Sequence, residues 1–386
     1  MFDRQSVIIK DPEKLSFDYV PEKLIGREPQ MKQLELLFAP VVESGRSDNA
    51  FISGNIGSGK TSTVKRFLLD AKDYSLKNNL PLDFIFVNCR QNGTESAVLF
   101  KCITHFDPGF PDRGFSPNEM LRTLRTHIEK RKIRLIIVLD EVNILFNRGA
   151  GDLIYQLSRF SEEFINKSSS LSLILISQEN VMDRLDKASL SSFRKANSIR
   201  FTQYTYNQLK DIVQSRAELA LVTEGIAQDA IELIADRATG DGDARFAIDL
   251  LDKAARVAET KSDGIVTADD VREVSDMVFS TVSIGKLEEL GKNELLALLS
   301  VARAIKKESS IPLTKAEKTY AVVCEEYEVE PRKHTQYCGY IRNLINMNLL
   351  VEPMEFTSGK NKFVALPDIP YKDLCRMIEE ILEKNL

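Results

Sequence analysis

The chain has 386 residues, 43% of them hydrophobic and 28% charged, with a formal net charge of −5. That length supports two or three domains and a sizeable core, and the composition is that of a soluble globular protein. The acidic balance excludes a general polycation, so any nucleic-acid contact must use a local basic surface.

No apolar run reaches membrane-spanning length, and the opening MFDRQSVIIKDPEK has no signal-peptide core. The five cysteines, Cys89, Cys102, Cys324, Cys338 and Cys375, are scattered without a C-x-x-C pair. That argues for reduced thiols in a cytosol, and against a zinc site or a disulfide frame.

Residues 1–20 read as an irregular arm. The segment PEKLIGREPQMKQLELLFAPVV then turns helical, with Met31, Leu34, Leu37 and Phe38 at three- and four-residue steps. A strand at about 49–53 feeds a glycine-rich loop, and TSTVKRFLLDAKDYSL continues as a helix. A second strand at 83–89 precedes helices near 94–106 and 117–131. The runs RLIIVLDE (134–141) and LSLILIS (171–177) are continuously apolar, as strands buried on both faces are, with a helix at about 149–165 between them. SIRF (198–201) closes the series. Alternating strands and helices predict an α/β fold on a parallel, doubly wound sheet.

From 202 to about 280 only amphipathic helices follow, separated by turns at Gly225, Gly240, Gly242 and Gly264. A third unit begins near 285, with helices at about 291–307, 314–328 and 332–347 and then two short extended segments around 358–362. That is the outline of a winged helix. The expected boundaries are 1–201, 202–284 and 285–386.

The stretch GNIGSGKTS (54–62) carries the G-x-x-x-x-G-K-T spacing of a P-loop between a strand and a helix. Gly54, Asn55, Ile56, Gly57, Ser58, Gly59 and Ser62 belong to the backbone cradle, whose N–H groups and helix N-terminus hold phosphates. Lys60 reaches the β- and γ-phosphates, and Thr61 offers its hydroxyl to Mg²⁺. Asp140 and Glu141 end the apolar strand, where such sheets open onto the ligand crevice. Asp140 is expected to hold Mg²⁺, and Glu141 to act as the general base toward an attacking water. The cofactors are therefore ATP/ADP and Mg²⁺.

In EPRKHTQYCGYIRNLINMNLLVEP, Tyr337, Ile341, Leu344 and Ile345 share one helical face and pack inward. Lys333, Gln336 and Tyr340 share another, with Arg332 and Thr335 beside them. A recognition helix presents its first turns to the major groove. The hairpin TSGKNK adds Lys360 and Lys362, so residues 332–362 hold five basic residues against Glu352 and Glu355. On these residues alone, double-stranded DNA and a protein partner both remain open.

Beyond the P-loop, the order of parts resembles an AAA+ ATPase. LSFDYVPEKLIGREPQMKQL (15–34), VNCRQNGTESAVLFKCI (87–103), PDRGFS (111–116), VLDEVNIL (138–145), DRLDKASLSSF (183–193) and GDGDARFAIDLL (240–251) are similar to blocks of one family. It is that of the archaeal replication initiators, the origin recognition complex subunit one / cell division control protein six family. The likeness covers nearly the whole chain.

The resemblance implies an AAA+ nucleotide domain, a helical lid and a DNA-binding winged helix. Pro21, Leu24, Ile25 and Arg27 match the segment that borders the adenine and anchors the arm, Arg245 the lid-domain sensor arginine, and Arg113 the DNA-contacting insertion. Gln178 stands where relatives usually have an asparagine polarising the attacking water, and Ala188 where relatives often have an arginine reaching a neighbour's nucleotide. Neither Arg184 nor Arg194 is at the expected place, so hydrolysis should be slow. Asn143 replaces an acid common in relatives.

The implied role is an ATP-regulated, nucleoid-associated cytoplasmic protein that marks replication origins on double-stranded DNA. It would help load the replicative helicase and work beside initiator paralogues on adjacent sites, away from membranes. The alternative is a signalling-type ATPase whose winged helix binds protein.

Overall fold

The computed structural model describes residues 7–163, 169–178, 181, 193, 197–240, 242–261, 264–275, 287, 290–305, 310–347, 349–351, 363–366 and 371–384. The chain divides into two compact units, Met1–Val274 and Ser275–Leu386.

The first unit begins with α1 (Glu28–Ser44), opened by Pro29 and closed by Gly45 in the left-handed region, which glycine adopts without a Cβ clash. Then come β1 (Asn49–Gly54), α2 (Lys60–Lys77), β2 (Leu82–Asn88), α3 (Glu95–Phe106) and α4 (Pro117–Arg131). A reciprocal Ser116–Glu119 capping box starts α4. β3 (Arg134–Asp140), α5 (Asn143–Asn147), α6 (Gly151–Ser158), β4 (Ser170–Ser177) and β5 (Ser198–Phe201) complete the sheet domain. The helix expected over 149–165 is shorter, ending at Ser158 before a 3-10 turn at Phe160–Glu163, and α5 was not anticipated.

All five strands are parallel, in the order β2-β3-β4-β1-β5. Side chains alternate across the sheet. Ile136, Val138, Ile174 and Ile176 join α1 and α2 on one face, while Leu135, Ile137, Leu139, Leu173 and Leu175 join α3, α4 and α6 on the other. The connection leaving β1 runs to β2 at one edge, and the one leaving β4 runs to β5 at the other. The crevice therefore opens where β1 and β4 end side by side.

The helices α7 (Tyr206–Ala220), α8 (Gln228–Thr239) and α9 (Ala244–Lys261) follow. A Thr205–Gln208 capping box starts α7. The arm is more ordered than its composition implies. Residues 12–15 form a 3-10 turn, and the arm pairs with the end of α7 through Lys10 N–H to Ala220 O (2.8 Å) and Val222 N–H to Ile8 O (2.9 Å). Residues 21–27, expected to begin a helix, form the loop that leads into α1 at Glu28.

The second unit packs α10 (Lys292–Ile305), α11 (Leu313–Glu326), α12 (His334–Asn346) and α13 (Tyr371–Lys384) around one apolar core. β6 (Ile311–Pro312) pairs antiparallel with β7 (Phe363–Val364), and Val351 bridges Ala365. The extended segments expected around 358–362 lie outside the described residues. α13 went unanticipated. Arg303 binds both Glu326 and Glu379, tying α10 to α11 and α13. Among the described residues, no helix is long and apolar enough to cross a membrane.

Candidate nucleotide site and nucleic-acid interface

A cavity of about 770 Å³ opens in the first unit at the carboxyl ends of β1, β3 and β4. The arm supplies Pro21, Leu24 and Ile25; the loop after β1 supplies Ile56, Gly57, Ser58, Gly59, Lys60, Thr61 and Ser62. Asp140, Glu141 and Gln178 come from the ends of β3 and β4, and Arg245 from the first turn of α9. Residues more than two hundred positions apart thus face one space.

The loop's shape depends on glycine at two points. Gly57 (φ +68°) and Gly59 (φ +80°) occupy the left-handed region. A Cβ at Gly57 would strike the Asp243 carboxylate of the lid, and one at Gly59 the Tyr204 hydroxyl. The lid therefore rests directly on the loop, where Ala244 N–H donates to Gly57 O at 3.2 Å. Asp243 Oδ1 accepts from the backbone N–H groups of Arg245 (2.7 Å) and Phe246 (3.1 Å), holding the first turn of α9.

Lys60 is 8% exposed, and its ammonium donates to the carbonyls of Gly54 (2.7 Å) and Asn55 (2.6 Å). Gly54 and Asn55 do not line the cavity; they meet Lys60 through these carbonyls. Burial pushes the Lys60 ammonium down to about 8, against an opposing pull from Asp140.

Thr61 Oγ1 donates to Asp140 Oδ2 at 2.8 Å. Asp140 is 6% exposed, and burial holds its carboxyl above the usual range. Two hard oxygen donors side by side, one a carboxylate whose burial penalty a cation would relieve, fit Mg²⁺.

Glu141 adopts φ +56°, a sparsely populated conformation for a residue with a side chain. Its Oε2 accepts from Arg90 Nε at 3.0 Å. Arg245 is exposed and lies over Phe17 at 5.9 Å from the ring centre.

Arg27 differs from its expected place. It does not line the cavity; it is buried behind the loop, where its guanidinium donates to Ser58 O at 2.9 Å. The segments carrying Arg184, Ala188 and Arg194 lie outside the described residues.

Sequence reasoning missed Arg90, Tyr204, Asp243 and Arg216. Arg216 lines the cavity from α7, 7% exposed, and donates to Lys14 O at 2.6 Å. It had a readable signal: a charge in the apolar series Leu209, Val213, Arg216, Ala220 is a cation that the fold buries. Asp243 stands at a helix-capping position, whereas no local pattern marks Arg90 or Tyr204.

In the second unit, Tyr337, Ile341 and Leu344 are buried beneath α12. Arg332, Lys333, Thr335 and Gln336 are exposed at its N-terminal end, while Tyr340 is half-buried and packs against the core. His334 is held by Glu317, with Nδ1 2.8 Å from Oε2. Lys360 and Lys362 lie outside the described residues. Arg113 is exposed in the first unit, in the loop between α3 and α4.

Residues 45–185 match the AAA domain family, 210–276 the Cdc6 AAA+ ATPase-type lid domain, and 285–366 the CDC6 C-terminal winged helix domain. The chain is 30% identical over 348 residues to the ORC1-type DNA replication protein 1 of Archaeoglobus fulgidus, covering 89% of this chain and 84% of the relative. It is similar to the Aeropyrum pernix ORC1 protein solved in complex with DNA, with a TM-score of 0.74 and 25% identity over 99% of this chain and all of that one. The crystal structure of Cdc6p from Pyrobaculum aerophilum matches with a TM-score of 0.64 and 27% identity, over 98% of this chain and all of the other.

Proposed function

Because this chain belongs to the family of ORC1-type DNA replication proteins, we propose that it is an ATP-regulated replication initiator that binds origin DNA. The observation that carries the nucleotide half of this reading is one cavity joining Lys60, Thr61, Asp140 and Glu141 of the sheet domain to Arg245 of the lid.

A bound triphosphate meets Lys60 and the loop's N–H groups, and Arg245 approaches its terminal phosphate from the lid side. Thr61 and Asp140 would hold Mg²⁺, which would supply positive charge beside the phosphates. Glu141 orients and deprotonates the attacking water, with Gln178 beside it as a second polar contact. Hydrolysis is slow and serves as a reset rather than as a motor. The Arg90–Glu141 pair restrains the base. Because it is a largely exposed ion pair worth under ~1 kcal/mol, Arg90→Ala is expected to raise basal phosphate release by no more than about fivefold. A fall in turnover would instead place Arg90 among the groups that serve the phosphates.

The DNA half rests on the exposed row Arg332, Lys333, Thr335 and Gln336 at the start of α12, with Lys360, Lys362 and Arg113 as further proposed contacts. Phosphate contacts dominate such affinity and make it salt-dependent. The double substitution Arg332→Glu and Lys333→Glu is expected to weaken binding to origin-like duplex at least tenfold. It should also reduce the salt slope by about two, one per lost phosphate contact. Titration of the full chain with ATP and with ADP at several salt concentrations checks both halves. Unchanged DNA affinity after the reversal would favour a protein-binding winged helix, and identical curves with the two nucleotides would remove the switch. Loading of the replicative helicase beside other initiator copies completes the proposed role.

A further inference from the structure

The glycine loop is fixed from behind by a cation that has no anionic partner among the described residues. Arg27 is 2% exposed and ranks among the largest fully buried side chains of the chain. Its guanidinium spends its donors on backbone carbonyls: Nε on Ser58 O at 2.9 Å, and the two terminal nitrogens on Gly26 O and Thr202 O, each at 2.8 Å. It stacks on Tyr204 at 3.6 Å from the ring centre, with Phe201 at 5.5 Å. Among the described residues no carboxylate forms an ion pair with it; the Tyr204 hydroxyl supports its charge through a side-chain hydrogen bond, and Glu28 acts more weakly and only through space. Burial pulls its pKa below the usual arginine value, yet a guanidinium remains charged.

Two consequences follow from elementary geometry and electrostatics. A trans peptide unit is planar, with its carbonyl and its N–H on opposite sides. The Ser58 carbonyl is drawn toward Arg27, so the Gly59 N–H of the same unit points the other way, to the side where Gly59 lines the cavity. Gly59 has no side chain to hold that orientation by itself, so the arginine sets the direction of the peptide.

The second consequence concerns charge. Burying a cation without a counter-charge is costly, and carbonyl dipoles with aromatic faces offset only part of it. At low local dielectric the remaining positive potential extends through the loop into the cavity. There it adds to Lys60 and to the positive end of α2.

We propose that Arg27 is a positioning residue for a bound polyphosphate: it pins the Ser58–Gly59 peptide, and the phosphates complete its missing counter-charge. This deepens the nucleotide reading above and rests on it. The same guanidinium also fixes Gly26 at the end of the arm and Thr202 at the exit of β5, so arm, loop and the strand leading to the lid share one anchor.

Titration calorimetry of the full chain with ADP and with inorganic pyrophosphate, which lacks the nucleoside, tests the proposal beside ligand-free melting curves. Arg27→Met is expected to bind both ligands at least tenfold more weakly and by the same factor, because only the phosphate grip is altered. Arg27→Lys keeps the charge but loses the fork, and should fall between the two, three- to tenfold weaker than the native chain. A purely structural arginine would lower the ligand-free melting temperature and leave the affinity of the folded chain unchanged.

Wild-type pyrophosphate affinity in a folded Arg27→Met chain overturns the proposal, as does a loss seen with ADP alone, which would put Arg27 on the nucleoside side. Should Arg27→Met not fold, undiminished pyrophosphate affinity in Arg27→Lys overturns the pinning. A native chain that binds neither ligand overturns the nucleotide reading itself and this inference with it.

Discussion

Lys60→Ala is expected to weaken ATP and ADP binding by two to three orders of magnitude while leaving the nucleotide-free fold intact. Each hydrogen bond from a charged donor contributes ~1.5–3 kcal/mol, and two to a bound phosphate near the lower end of that range give a factor of roughly 10²–10³. Without ligand the ammonium only donates to the Gly54 and Asn55 carbonyls, and burial opposes its charge. Its removal therefore costs little there. Equilibrium titration with a fluorescent nucleotide and a melting curve, run side by side, check the two halves.

The same lysine sets a pH dependence whose sign is fixed. In the folded chain its pKa is about 8, against 10.5 for the free side chain, with Asp140, Asp243 and Glu141 pulling it up and Arg245 down. Between those values the unfolded chain holds more protons, so stability rises with pH across that window and the rise is missing in Lys60→Ala. Nucleotide phosphates favour the charged lysine. Above pH 8 binding should then take up a proton, and affinity should fall as pH climbs.

The legible parts of the fold and site share one property: their signal is local. The P-loop spacing, the Asp140–Glu141 pair at a strand end and the inward face of α12 each occupy a dozen residues or fewer, and there pattern and structure agree. What stayed hidden depends on contacts between distant segments. Arg27 meets Ser58 across 31 positions and Thr202 across 175, and no periodicity encodes either meeting. Asp243 reads as a helix cap, but its fit against Gly57 is decided only when the lid closes on the loop. The arm reads as irregular because its backbone partners, Ala220 and Val222, lie at and just beyond the end of a lid helix two hundred residues on. Arg216 is intermediate. Its helical phase says that it is buried, but not that it faces a ligand cavity.

Glu141→Gln carries the second large effect. Turnover is expected to drop by roughly 10²–10⁴, the usual range for losing a positioned general base, while ATP affinity stays within about threefold. Glutamine keeps the shape and the hydrogen-bonding reach of glutamate but cannot accept the proton. The partner left behind, Arg90, is 65% exposed at its side chain, so water solvates it and no buried charge is stranded. The left-handed backbone at position 141 is common to both residues and cancels in the comparison.

Single-turnover hydrolysis separates chemistry from product release. A substitution that slows the chemical step without touching binding removed an interaction made only in the transition state. Unchanged single-turnover rates would move the base elsewhere, with Asp140 the nearest carboxylate. A chain that binds ATP but does not consume it also isolates the proposed switch. On origin duplex, Glu141→Gln with ATP should hold the ATP-state affinity at least roughly a hundred times longer than the native chain, which drifts toward its ADP-state value as ATP is hydrolysed.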